Sequence, residues 1–174
     1  MNRNNRWMIG LAAGMVALTV SAQADEAAMG FLKQTGAVEV AAKAPYGAGI
    51  AEMLLGYDAE GNAIAGVAAR ETATYYKTMT YVTVVRDGDA FKIQSMDAPD
   101  VVNFRGKSRD YAEGAMREVS GKTLAGSEEA RGLVDAVSGA TPQLKAIYVS
   151  AALMASKIID ELQAAPDWER TPIP

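Results

Sequence analysis

Hydrophobic positions recur most regularly near the C-terminus, at Leu144, Ile147, Tyr148, Ala151, Met154, Ala155, Ile158, Ile159 and Leu162. Spacings of three and four place them on one broad face and predict a long amphipathic helix. Pro142 suits the first helical position, where a missing N–H costs nothing, and Thr141 suits the cap. Pro166 and the proline-bearing tail end the helix. A shorter helix is expected in "DEAAMGFLKQTG" (Asp25 to Gly36), with acids in its first turn and a glycine stop. "SRDYAEGAMREVSG" (Ser108 to Gly121) predicts a third. "GSEEARGLVDAV" (Gly126 to Val137) reads as either a short helix or the approach to a strand.

Elsewhere the period is two. "YVTVVRDGDAFKIQSM" (Tyr81 to Met96) alternates β-formers around Asp87-Gly88 and predicts a hairpin. "IAEMLLGYD" (Ile50 to Asp58) and "AIAGVAAR" (Ala63 to Arg70) flank "DAEGN" and predict another, entered through the Gly-rich loop "APYGAG" (Ala44 to Gly49). Hairpins and helices without regular βα alternation imply an α+β fold. It is expected as a largely antiparallel sheet of hairpins with flanking helices, a long C-terminal amphipathic helix and a single domain.

The first 24 residues read as an address. Arg3 and Arg6 precede the apolar run "WMIGLAAGMVALTV", and "SAQA" (Ser21 to Ala24) supplies the small residues that a signal peptidase reads. The expected cut falls between Ala24 and Asp25, giving an exported or periplasmic, soluble protein; an uncleaved N-terminal anchor is the alternative. The chain then divides into a signal (1–24), an N-terminal helix and lead-in (25–43), a main domain (44–164) and a C-terminal tail (165–174). The tail, "PDWERTPIP", reads as a flexible end from which Trp168 packs back.

Removal of the signal takes two arginines and no acids, leaving 15 basic against 21 acidic residues. That balance argues against nucleic acid and anionic membrane surfaces as partners. With no cysteine, disulfides, iron–sulfur clusters, thiolate zinc sites and c-type haem attachment are excluded. With no histidine, the commonest general base and transition-metal ligand is missing, and no metal site is expected. Chemistry on this chain needs carboxylates, hydroxyls, lysine or a borrowed cofactor.

One stretch offers more than its local structure requires. "DAVSGATP" (Asp135 to Pro142) puts a hydroxyl, Thr141, at the mouth of the best helix, where unpaired N–H groups and the positive dipole end favour an anion. Gly139 and Ala140 let backbone approach a bulky group. Lys145, one turn on, adds a positive charge on the same side. Asp135 and Ser138 are placed to orient a metal-bound phosphate donor or to brace the turn. The site suits a phosphate group. Read without Asp135, the same residues make an ordinary cap after a tight loop.

Asp135-x-x-Ser138-Gly139-Ala140-Thr141 resembles the flavinylation signature of the FMN-binding domain family, which includes the extracytoplasmic flavin subunits of Rnf-type and sodium-pumping NADH:quinone oxidoreductase complexes. The likeness extends more weakly to "YGAGI" (Tyr46 to Ile50), to Glu71-Thr72 and to "FRGK" (Phe104 to Lys107), and spans residues 44–164. Larger family members often follow Glu-Thr with Pro-Gly, whereas this chain has "ETATYY". The resemblance implies FMN joined to Thr141 by a phosphodiester, made from FAD and Mg²⁺ by a separate flavin transferase. Ser138, Gly139, Ala140 and Asp135 would surround the attachment, and Glu71 and Thr72 would lie near the flavin. It further implies an electron carrier rather than a stand-alone enzyme, with membrane oxidoreductase subunits or cytochromes as redox partners. The alternative is a non-redox periplasmic binding or scaffold module of the same fold without flavin. Tyr75, Tyr76 and Tyr81 read as sheet packing residues sooner than as flavin neighbours.

Overall fold

The computed structural model describes residues 25–73, 77–100, 106–137 and 142–174. In chain order these form α1 (Glu26–Lys33), β1 (Glu39–Lys43), β2 (Glu52–Tyr57), β3 (Ala63–Ala73), β4 (Lys77–Asp87) and β5 (Ala90–Asp97). There follow α2 (Lys107–Val119), β6 (Thr123–Leu124), α3 (Ser127–Arg131), a 3-10 turn over Gly132–Val137, α4 (Pro142–Ala164) and β7 (Arg170–Pro172). The strands make one sheet in the order β6-β5-β4-β3-β2-β1-β7, with every neighbouring pair antiparallel. The protein is α+β with a single compact domain, as the mixture of periods predicts. Among the described residues no helix is long and apolar enough to cross a membrane.

Alternation along the strands sends side chains to two different cores. On one face Met53, Leu55, Tyr57, Ala68, Val82, Val84 and Ile93 meet Ala151, Met154, Ala155, Ile158, Ile159 and Leu162 of α4. On the other, Leu54, Ala65, Val67, Ala69 and Tyr81 meet Ala28 and Leu32 of α1. Both faces of β2 are covered, so all six of its residues are buried. The close approach of α4 depends on Gly66: a Cβ there would collide with Ile158 Cγ2. Gly56 does the same for α1, since a Cβ would sit 2.7 Å from Ala37 Cβ and 2.9 Å from Leu32 Cδ1.

The hairpin at Asp87-Gly88 forms as its sequence predicts, with Asp87 opposite Ala90 and Gly88 at φ +61°. Asp25 caps α1, its carboxylate accepting from Ala27 N. The stretch from Gly126 resolves into α3 and the 3-10 turn. Three strands escape the sequence pattern: β1, the two-residue β6 and β7. Glu39–Lys43, within the expected lead-in, pairs with β2 through five residues. The tail is also not free: Arg170–Pro172 pairs with β1, and Trp168 packs edge-on to Tyr46 at 6.3 Å between centroids. Its physical reason is the exposed edge of β1, which three extended residues satisfy.

Candidate functional site

The 3-10 turn Gly132–Val137 carries Asp135 on an exposed side chain, seven residues ahead of Pro142, where α4 begins. Ser138, Gly139, Ala140 and Thr141 lie outside the described residues, as do Tyr75, Tyr76, Phe104 and Arg105. The helix that the motif opens does begin at Pro142. Pro142, Lys145 and Val149 form an exposed stripe at spacings of three and four on its first two turns. Val149 is 36 % exposed, a large apolar side chain left open beside the lysine.

The inward side of the same turns is fixed by hydroxyls. Thr72, at the far end of β3 and only 2 % exposed, has its Oγ1 2.7 Å from Thr80 Oγ1 and 2.7 Å from Ser150 Oγ. Thr80 Oγ1 donates to the carbonyl of Arg70 at 2.9 Å. Three buried hydroxyls thus join β3, β4 and α4, and each would cost about 1–3 kcal/mol if left without a partner. Ser150 is eight residues into α4, so this link holds a point roughly 12 Å from the helix start. A second tie comes from α2: Tyr148 OH donates to Glu118. Burial, reinforced by that hydrogen bond and the charge of Glu118, pushes the Tyr148 hydroxyl up to about 12.

Glu71 and Lys77, next to these hydroxyls on the β3–β4 hairpin, pair at 3.1 Å and are both exposed. Thr72 faces α4, whereas strand alternation sends Glu71 the other way. The Glu71-Thr72 pair therefore divides its work: the threonine braces α4 and the acid meets solvent and Lys77.

A residue the sequence did not single out stands between them. Arg70 shares the α4 face with Thr72, and its Nη1 is buried with no hydrogen-bond partner among the described residues. Its guanidinium lies beside the Gly-rich loop, with Nε 3.8 Å from where a Gly49 Cβ would be. Gly49 itself takes φ +78°, a conformation glycine adopts without strain. "YGAGI", Glu71-Thr72 and the helix following Thr141 are thus gathered around Arg70, Thr80 and Ser150. Arg70 immediately precedes Glu71-Thr72, and an arginine inside an otherwise Ala/Val-rich strand was the available signal. No protein-family model, curated protein or solved structure matches this chain.

Proposed function

We propose that this protein is an exported flavoprotein carrying one FMN on Thr141 through a phosphodiester, relaying electrons between redox partners. The observation that carries the reading is the Thr72–Ser150 contact at 2.7 Å. It ties two segments singled out for independent reasons, Glu71-Thr72 and the helix opened by "SGATP", to one end of the sheet.

The residues present fit the group. Lys145 and the first turn of α4 offer positive charge and unpaired N–H groups to a phosphate. Arg70 has a buried N–H without a partner among the described residues, the kind of donor that a flavin ring or phosphate oxygen satisfies. Val149 supplies apolar cover. Bound FMN supplies one- and two-electron redox chemistry that a chain without His or Cys lacks. The chain's own part is to hold the cofactor's phosphate, orient its ring and present it to partners. Transfer from FAD joins the FMN phosphate to Thr141 Oγ and releases AMP, with a flavin transferase and Mg²⁺ as the agents.

The test is production with and without a flavin transferase. Yellow fluorescence that survives denaturing electrophoresis and vanishes in Thr141→Ala is the expected result. A colourless protein of unmodified mass, made beside an active transferase, refutes the reading and favours a flavin-free binding or scaffold module.

A further inference from the structure

Beside α1, on the face of the sheet opposite α4, lies a group of acids that no lysine or arginine pairs with among the described residues. Glu52 on β2 is 6 % exposed, and burial pushes its carboxyl above the ordinary range. Its Oε2 accepts from the backbone nitrogen of Asp25 at 3.0 Å. The Asp25 carboxylate accepts from Ala27 N at 2.8 Å through Oδ1 and from Tyr81 OH at 2.8 Å through Oδ2. Burial, the Asp25 hydrogen bond and the charges of Asp25, Asp100 and Glu52 all hold the Tyr81 proton on. Among the described residues, lysines and arginines pair with Glu71, Glu113, Glu128 and Asp160, and none with Asp25, Glu52 or Asp100. No three potential ligands converge as a metal site there either.

A neutral amide is a weak partner for a buried carboxylate, because it offers one N–H and no charge. Yet the nitrogen that reaches Glu52 belongs to the residue just after "SAQA", the small-residue stretch that marks a signal-peptidase cut. Two independent observations, one of sequence and one of geometry, meet on the same atom.

We propose that cleavage between Ala24 and Asp25 turns the Asp25 nitrogen into an ammonium and that Glu52 is the buried group that receives it. This rests on reading residues 1–24 as a cleaved export signal. Hydrolysis consumes one water; Ala24 leaves as a carboxylate and the Asp25 nitrogen gains the protons of an ammonium. The hydrogen bond already formed at 3.0 Å becomes charge-assisted. Processing then adds the missing cation and fastens the start of α1 to β2. The groups around the new charge are Glu52 on β2, the Asp25 carboxylate on the α1 cap and Tyr81 on β4, whose proton the charge of Asp100 after β5 also holds.

A four-protein cycle tests it. A chain released from a fusion so as to begin at Asp25 is compared with one that keeps Ser21–Ala24, each with and without Glu52→Gln. At pH 7 the free-amine protein is expected to melt roughly 5 °C or more above the extended one, a gap that closes in Glu52→Gln. Equal melting points, or a gap that survives Glu52→Gln, overturn the proposal. NMR titration of the α-amine gives a second readout. Its pKa is expected above the usual ~8, falling back in Glu52→Gln. Because that pKa is raised by folding, the added stability is full below ~8 and lost as pH rises through the folded value. An unshifted amine contradicts the pairing. N-terminal sequencing separates the layers: protein that retains residues 1–24 overturns the export reading and the proposal together, while export with trimming elsewhere overturns the proposal alone.

Discussion

The two ends of α4 rest on the same sheet face but are built from different materials. At the C-terminal end Ile158 enters the space left by Gly66, and Met154, Ile159 and Leu162 are sealed from solvent. The arginines there are held by carbonyls: Arg86 donates to Leu162 O at 2.8 Å and Ala63 O at 3.3 Å, and Arg170 donates to Gly61 O at 3.2 Å. Each also covers an aromatic ring, Phe91 and Tyr57 respectively. At the N-terminal end hydroxyls join the apolar packing of Ile147 and Ala151, the outer stripe is exposed, and Arg70 has a buried N–H without a partner among the described residues. One end is packed to hold the fold, and the other is positioned by directional bonds around unspent polar capacity. The Tyr57 hydroxyl at the packed end is buried without a well-formed hydrogen bond among the described residues, so the contrast lies in the cations and not in every polar atom.

The contrast breaks most visibly if the packed end proves dispensable. Ile158→Ala is expected to cost about 2–4 kcal/mol in chemical denaturation, from lost burial and the cavity left over Gly66. At the other end, Thr72→Val keeps the volume but leaves Thr80 and Ser150 short of a partner, at about 1–3 kcal/mol. Combining it with Ser150→Ala should cost less than the sum of the two single changes. Strict additivity would show that the hydroxyls do not act as one link.

A pH scan sharpens the same boundary. Folding raises the Tyr148 pKa from its ordinary 10.0 to about 12, so its contribution is whole below pH 10 and is lost as pH rises toward 12. Denaturation midpoints measured across that interval should fall less steeply in Tyr148→Phe than in the unaltered protein. The smallest effect on stability belongs to Arg70. Arg70→Met removes a half-buried cation whose Nη1 has no partner among the described residues, and should leave stability within about 1 kcal/mol or raise it. In the flavin-loaded protein the same change should shift the visible spectrum or the reduction potential. A large stability loss with unaltered flavin properties would make Arg70 a structural residue.

Much of this was legible along the chain, for reasons that differ by element. α4 and the Asp87-Gly88 hairpin declare themselves because period and turn chemistry are local. β1 is only five residues and Ala-rich, and β7 has three residues ending at a proline; β1 is a strand because β2 and β7 flank it, and β7 because the edge of β1 pairs it. That partnership has no local signature. At the site, Asp135 on the 3-10 turn and Lys145 on the first turn of α4 are both exposed. That Thr72 braces the helix is not legible in the sequence, since alternation and the hydroxyl of Ser150 decide where it points. Arg70 was missed because its significance is an unpartnered atom, a property of the assembled fold.

The central claim is that Thr141 carries FMN. Intact mass of the protein made beside an active flavin transferase tests it most directly. The account predicts a gain of one FMN less one water, located on the peptide containing Thr141 and absent from Thr141→Ala. An unmodified mass in the unaltered protein, or a flavin retained by Thr141→Ala, would contradict it.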